Sequence, residues 1–135
     1  MDLMESLMIS AAGMRAQGQR LRVVAENLAN ADSVAEVPGG DPYRRKTISF
    51  KNQLDRELGL ETVQVGKLGE DPSDFRMKYD PGNPAADAKG YVKLPNVNSL
   101  IEMSDMREAQ RSYEANLKAI EVARTMFQRT IDLIR

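Results

Sequence analysis

The chain contains no cysteine, no histidine and no tryptophan. Without cysteine there is no disulfide framework and no thiolate nucleophile. Without cysteine and histidine together, the usual zinc ligands and imidazole acid–base chemistry are missing as well. Redox compartment is left open, because a thiol-free chain is indifferent to it. Aromatic residues are scarce, three Phe and four Tyr in 135 residues, so a compact core would be thin. Neither sign of charge dominates: 19 basic and 20 acidic residues leave a net charge of −1, and residues 102–135 carry six of each. Charges interspersed in this way give no electrostatic footprint for nucleic acid. The single basic cluster, Arg44-Arg45-Lys46, is too short to argue one and is expected to be a solvated strand edge. No run approaches the ~20 apolar residues of a membrane span. The N-terminal stretch Met1–Ser10 is apolar but carries acids where a cleaved signal would carry Lys or Arg, so the expectation is a cytosolic chain or one exported without cleavage.

What is present is sharply divided along the chain. All six prolines lie between Pro38 and Pro95, and seven of nine glycines between Gly39 and Gly90. The flanks hold only Gly13 and Gly18. Three parts follow: a helix over 1–33, a loop and β-hairpin middle over 34–97, and a helix over 98–135. Asp2–Glu5 and Ser99–Glu102 each place an N-cap acceptor three residues before a carboxylate. Asn30 stands where the first helix should stop and tolerates a left-handed terminus. Pro95-Asn-Val-Asn98 blocks helix before Ser99. Phe75–Tyr79 alternates apolar and polar and is the clearest strand; Thr47–Phe50, Thr62–Val65 and Tyr91–Leu94 are weaker ones. Asp80–Pro84 reads as a loop, and Gly66, Gly69 and Gly82 as turn positions.

Both flanks carry heptads. Met4, Leu7, Met14, Leu21 and Leu28 supply large seam residues, while Ala11, Gly18 and Ala25 form a small row in phase with them. At the other end Met106, Tyr113, Ile120, Phe127 and Ile134 form one row, and Met103, Gln110, Leu117, Arg124 and Ile131 the other. Sustained heptads imply seams that need partners. Leu3, Met8, Ile9, Ala12, Val23 and Ala29 lie off the first seam, so that helix is apolar around much of its circumference. Such a helix is covered on several sides, and in a chain this short some of the cover must come from other subunits. Gly18 costs ~1 kcal/mol relative to Ala in a helix, which points to a close helix–helix crossing there. Arg124 and Gln110 interrupt an apolar row, as snorkelling side chains or as register-fixing polar positions.

Several segments resemble one family. Ile9–Gln17, Arg20-Leu21 and Ala25–Asn30 are similar to the N-terminal signature of bacterial flagellar rod and hook proteins, and Met106 with Tyr113–Asn116 to their C-terminal signature. The middle motifs Gly39–Lys46, Asp80–Pro84 and Lys89–Asn98 look like those of the proximal-rod members. The stretch Ala31–Pro42 is longer than in many rod relatives, and its path is left undetermined.

The resemblance implies a mainly α protein. Its two long terminal helices would form a coiled-coil core layer around a small β- and loop-rich middle subdomain. It implies a structural subunit of the proximal rod of the basal body, assembled helically with other flagellar rod proteins and with the adaptor joining rod to export gate and ring. Such a subunit transmits torque, surrounds the export channel and is secreted by the type III apparatus. It has no catalytic, cofactor or metal site, binds no nucleic acid and spans no membrane. The residues it assigns to subunit interfaces are Leu7, Met14, Gly18, Leu21, Asn27, Leu28, Asn30, Tyr113, Asn116, Ile120, Phe127 and Ile131. Another rod protein and a cytosolic coiled-coil adaptor remain alternatives, and an enzyme is a more distant one because no two carboxylates share an identifiable pocket.

Overall fold

The structure, a computed structural model, describes residues 3–56 and 59–134. Helix α1 spans Leu3–Ala29 and α2 spans Ser99–Ile134. Between them lie β1 (Lys46–Asp55), β2 (Leu60–Glu70), β3 (Arg76–Tyr79) and β4 (Tyr91–Leu94), in two separate two-stranded sheets, β1–β2 and β3–β4. The fold is therefore mainly α with a small β middle. No helix among the described residues is long and apolar enough to cross a membrane.

The chain divides into two compact units. The first comprises Met1–Leu21, Ile48–Lys67 and Arg107–Arg135; the second comprises Arg22–Thr47 and Leu68–Met106. In each, part of α1 meets part of α2, and in the first unit the two run antiparallel. In the first unit Gly13 lies against Asn116 and Arg20 against Glu108. In the second, Asn27 lies against Glu102.

The helix signals hold in outline and differ in detail. Asn98, not Ser99, caps α2: its Oδ1 accepts from the backbone N–H groups of Leu100 and Ile101. Glu102 is thereby free of any capping duty, and its side chain is drawn inward instead. Asp2, the proposed cap of α1, lies outside the described residues. Asn30 does end α1, but no non-glycine residue among those described has positive φ. Its backbone N–H donates to the Glu26 carbonyl and its side-chain amide adds a second bond to the same oxygen, so the helix ends without a left-handed turn.

The clearest strand, Phe75–Tyr79, is one of the shortest, and the weaker candidates β1 and β2 are the longest. Only short parts of these two, Thr47–Phe50 and Thr62–Val65, are legible in the sequence, because most of their side chains are exposed and no alternation of burial is imposed. Gly66 and Gly69 are not turn residues; both lie within β2. A Cβ on Gly66 would meet the Ser49 hydroxyl at 3.1 Å, and one on Gly69 the Thr47 hydroxyl at 3.3 Å. Glycine there admits a close cross-strand approach. The second sheet pairs Arg76 with Leu94 through Tyr79 with Tyr91, whose rings meet edge-on at 5.3 Å. Its connection closes at Gly90, where φ is +84° and a Cβ would lie 2.9 Å from the Tyr79 ring, so only glycine fits.

Residues 31–42 follow the β3–β4 connection: Gly39 N–H donates to the Ala85 carbonyl, and Lys93 pairs with Asp41 at 2.8 Å. The second unit buries Val23, Val24, Ala31, Ala85, Val92 and Val97. The first buries only small side chains on its helices: Ser10, Ala12, Ala16, Ala109 and Ala123.

Candidate functional site

Two features stand out: a buried polar knot in the second unit, and the outward faces of the helices. The knot centres on Asn27, at 1% exposure, and Glu102, at 0%. Every hydrogen-bonding position of the Asn27 amide is used. Its Nδ2 donates to the Lys46 carbonyl at 2.9 Å and to Glu102 Oε2 at 3.2 Å, and its Oδ1 accepts from Lys46 N–H and from the Tyr43 hydroxyl, each at 2.8 Å. Glu102 Oε1 accepts from Arg45 Nε at 2.6 Å. The guanidinium also faces Asp71 at 3.5 Å and Asp105 at 4.0 Å. Burial works against the Arg45 charge, but these carboxylates more than offset it and hold its pKa above the ordinary value. Lys46 pairs with Glu26. Burial, reinforced by Glu26, Glu102 and Glu70, pushes the Tyr43 hydroxyl up to about 12.

The surrounding loops are tied to the same strap. Asn96 Oδ1 accepts from Arg45 N–H at 2.8 Å, and its amide donates to the Asp71 and Ser73 carbonyls. Arg44 donates to the same two carbonyls and stacks on Phe75, 4.2 Å from the ring centroid. The basic cluster is therefore not a solvated strand edge. Each of its three cations has a fixed acid, carbonyl or ring to meet, and a buried Glu102 draws Arg45 inward. Nothing in this arrangement offers a nucleophile or an open polar cavity; it is a structural tie. No group of acidic side chains among the described residues is arranged to hold a metal ion.

The proposed interface residues fall into three groups. Asn27 is buried inside the chain, committed to the knot. Leu7, Met14, Gly18, Leu21, Leu28, Asn30, Tyr113, Asn116 and Ile120 are half-buried. Phe127 and Ile131 are 53% and 47% exposed.

In the first unit the helices meet where Gly13 lies against Asn116 and Arg20 pairs with Glu108, and in the second where Asn27 bonds Glu102. The small residues Ala109 and Ala123 are buried, and the large seam residues Leu7, Met14, Leu21, Leu28, Tyr113 and Ile120 are half-buried. A Cβ on Gly13 would sit 2.9 Å from the Asn116 amide, whereas one on Gly18 would meet nothing within 4 Å. Within the chain the close crossing is thus at Gly13. Gln110 and Arg124 are exposed.

Outside the seam, α2 presents Leu100, Ile101, Met103, Leu117, Val122, Met126, Phe127, Ile131, Leu133 and Ile134, all more than a third exposed. An open apolar groove of about 440 Å³ lies between Leu3 and Ser6 of α1 and Ala115, Ala119, Val122 and Met126 of α2. Sequence reasoning missed the knot altogether. The signal available was indirect: Glu102 sits in the same heptad position as Ala109, Asn116 and Ala123, so a charged residue belonged to a row of small ones.

Known proteins are similar to this chain over nearly its whole length. Residues 88–133 match the family described as flagellar basal body rod FlgEFG protein C-terminal. The flagellar basal-body rod protein FlgC of Agrobacterium fabrum is 57% identical over 127 residues, which cover 94% of this chain and 91% of that protein. FlgC of Aquifex aeolicus is 44% identical over 133 residues, covering 98% of this chain and 97% of that protein. FlgC of Escherichia coli O6:H1 is 43% identical over 135 residues, covering 98% of each. With end-to-end identity at this level, the chain belongs to the FlgC family of flagellar basal-body rod proteins.

Proposed function

We propose that this structural, non-enzymatic rod subunit assembles through the outward faces of α1 and α2, which pack as coiled-coil layers with neighbouring rod proteins around an export channel. The observation that carries this reading is an inversion of ordinary burial. In the first unit the helices bury Ser10, Ala12, Ala16, Ala109 and Ala123 and leave Leu117, Val122, Met126, Phe127 and Ile131 outside. Exposed large apolar side chains gathered on one helix in this way mark protein–protein contact. Stiffness under torque then comes from many lateral contacts acting together. The partners in this reading are other proximal-rod proteins and the adaptor that joins rod to export gate and ring. The site of assembly is the periplasmic rod, reached by export without a cleaved signal.

The test is Phe127→Asp in a motile host. Phe127 is exposed within the chain, so the free subunit should keep its helicity by circular dichroism. In the assembly the same change buries an unpaired carboxylate. The expected outcome is export of the variant without filaments beyond the proximal rod; full-length filaments and normal swimming would refute the assembly reading.

A further inference from the structure

We propose that Glu102 is a two-position switch at the start of α2. With the strap Tyr43–Lys46 docked, it is the strap's buried anchor. With the strap lifted, it turns back and completes a capping box with Ser99.

Every group involved lies in the second unit, and the role is independent of the rod reading. The strap is fastened chiefly by side chains. Arg45 N–H donates to Asn96 Oδ1, Asn27 brackets the N–H and C=O of Lys46, and the Arg45 guanidinium meets Glu102. A backbone bond from Asp71 N–H to the Arg45 carbonyl completes the fastening. A segment clasped in this way, instead of being built into a ladder, belongs to the low-stability end of a structure and opens locally.

Lifting the strap takes away the cation of Glu102, so the carboxylate needs another partner. The sequence supplies one. Ser99-Leu-Ile-Glu102 carries the serine and the glutamate of a capping box at the required spacing. In such a box the serine hydroxyl caps the helix and the glutamate accepts from the serine N–H. With the strap docked the box is unused. Asn98 caps α2 through Leu100 and Ile101, Ser99 is exposed, and Glu102 points inward at 0% exposure. Asparagine and serine are caps of similar quality, so the helix start can move by one residue at little cost. The position of Glu102 decides between them. Neither state leaves the carboxylate alone, and the strap can therefore open without unfolding α2.

The test is amide hydrogen exchange of the Arg45 and Lys46 N–H groups in the full-length protein. Ser99→Ala removes a hydroxyl that serves only the open state. It should slow this exchange roughly three- to five-fold, the worth of a cap bond. Ser99→Thr, which keeps a capping hydroxyl, should exchange at the parental rate. In the Arg45→Met/Glu102→Leu background the box cannot form, and the effect of Ser99→Ala should fall below two-fold. Unchanged or faster exchange in Ser99→Ala overturns the proposal. Equal slowing in both backgrounds overturns it too, because the alanine would then be acting through helix propensity. So does protection of both N–H groups equal to the global unfolding constant, since the strap would have no open state of its own.

Discussion

Arg45→Met separates a buried ion pair that is merely present from one on which folding depends. The substitution keeps an unbranched apolar stem and removes the guanidinium. It leaves Glu102, at 0% exposure, with the Asn27 amide as its hydrogen-bond partner among the described residues. Removing one member of a buried pair costs ~3–5 kcal/mol, because the remaining charge is uncompensated. The upper part of that range applies here, since Glu102 has no route to solvent. The opposite single change, Glu102→Leu, should cost less, ~2–3 kcal/mol. Arg45 retains Asp71 at 3.5 Å, and its side chain is 24% exposed and can hydrate. The double variant should lie within ~1 kcal/mol of the parent, because apolar contact then replaces the pair with neither charge left behind. Denaturant unfolding of the free subunit followed by far-UV circular dichroism gives all four corners of the cycle. For a chain of this size the Arg45→Met loss corresponds to a midpoint lower by roughly 10–20 °C. An Arg45→Met protein within 1 kcal/mol of the parent would refute the reasoning, since Glu102 would then be solvated or uncharged in the folded state. Additive single-variant losses would refute it too.

The glycines give a contrasting pair. Gly18→Ala meets nothing within 4 Å, so the free subunit should gain about 0.5–1 kcal/mol of helix stability. Gly18→Leu should leave the free subunit folded yet fail to enter the rod if a neighbour's backbone approaches there, and normal incorporation would show that face to be open. Gly13→Val should lower the midpoint by forcing Asn116 aside, and adding Asn116→Ala should recover most of the loss; no recovery would mean that the crowding lies elsewhere. In spectrophotometric titration Tyr43 should ionise near 12. Its folded value lies above the unfolded value of about 10, so its contribution to stability is complete below pH 10 and is lost as pH rises towards 12. A Tyr43→Phe variant should show a shallower loss over that window. Asp71 runs the other way. Hydrogen bonds from Ser73, aided by Arg45, hold its carboxyl below the ordinary value. Its contribution is therefore present above about pH 4 and lost as pH falls further, and Asp71→Asn should flatten the acid limb of the stability profile.

The sequence by itself determined the order of helix, β-containing middle and helix, and the membership of a rod family; the first helix ends at Ala29, short of the expected 33. These rest on local chemistry: proline exclusion, heptad spacing, and asparagine at helix ends. They hold whatever the chain packs against. Only the tertiary structure decided which row of each helix faces inward. Heptads say that a seam exists, but they do not say whether small or large residues fill it inside one chain. Here Gly13 lies against Asn116 and Ala109 and Ala123 are buried, while the large rows range from half-buried Leu21 and Ile120 to exposed Phe127 and Ile131. The knot was beyond the sequence for the same kind of reason. Asn27, Arg45, Asp71, Asn96 and Glu102 are scattered over 75 positions, and each has an ordinary local reading as a helix end, strand edge, turn or cap. Their meeting depends on where the chain returns. Once Glu102 is carried out of water, burial leaves it no alternative to a partner, and Arg45 and Asn27 are the groups the fold brings within reach.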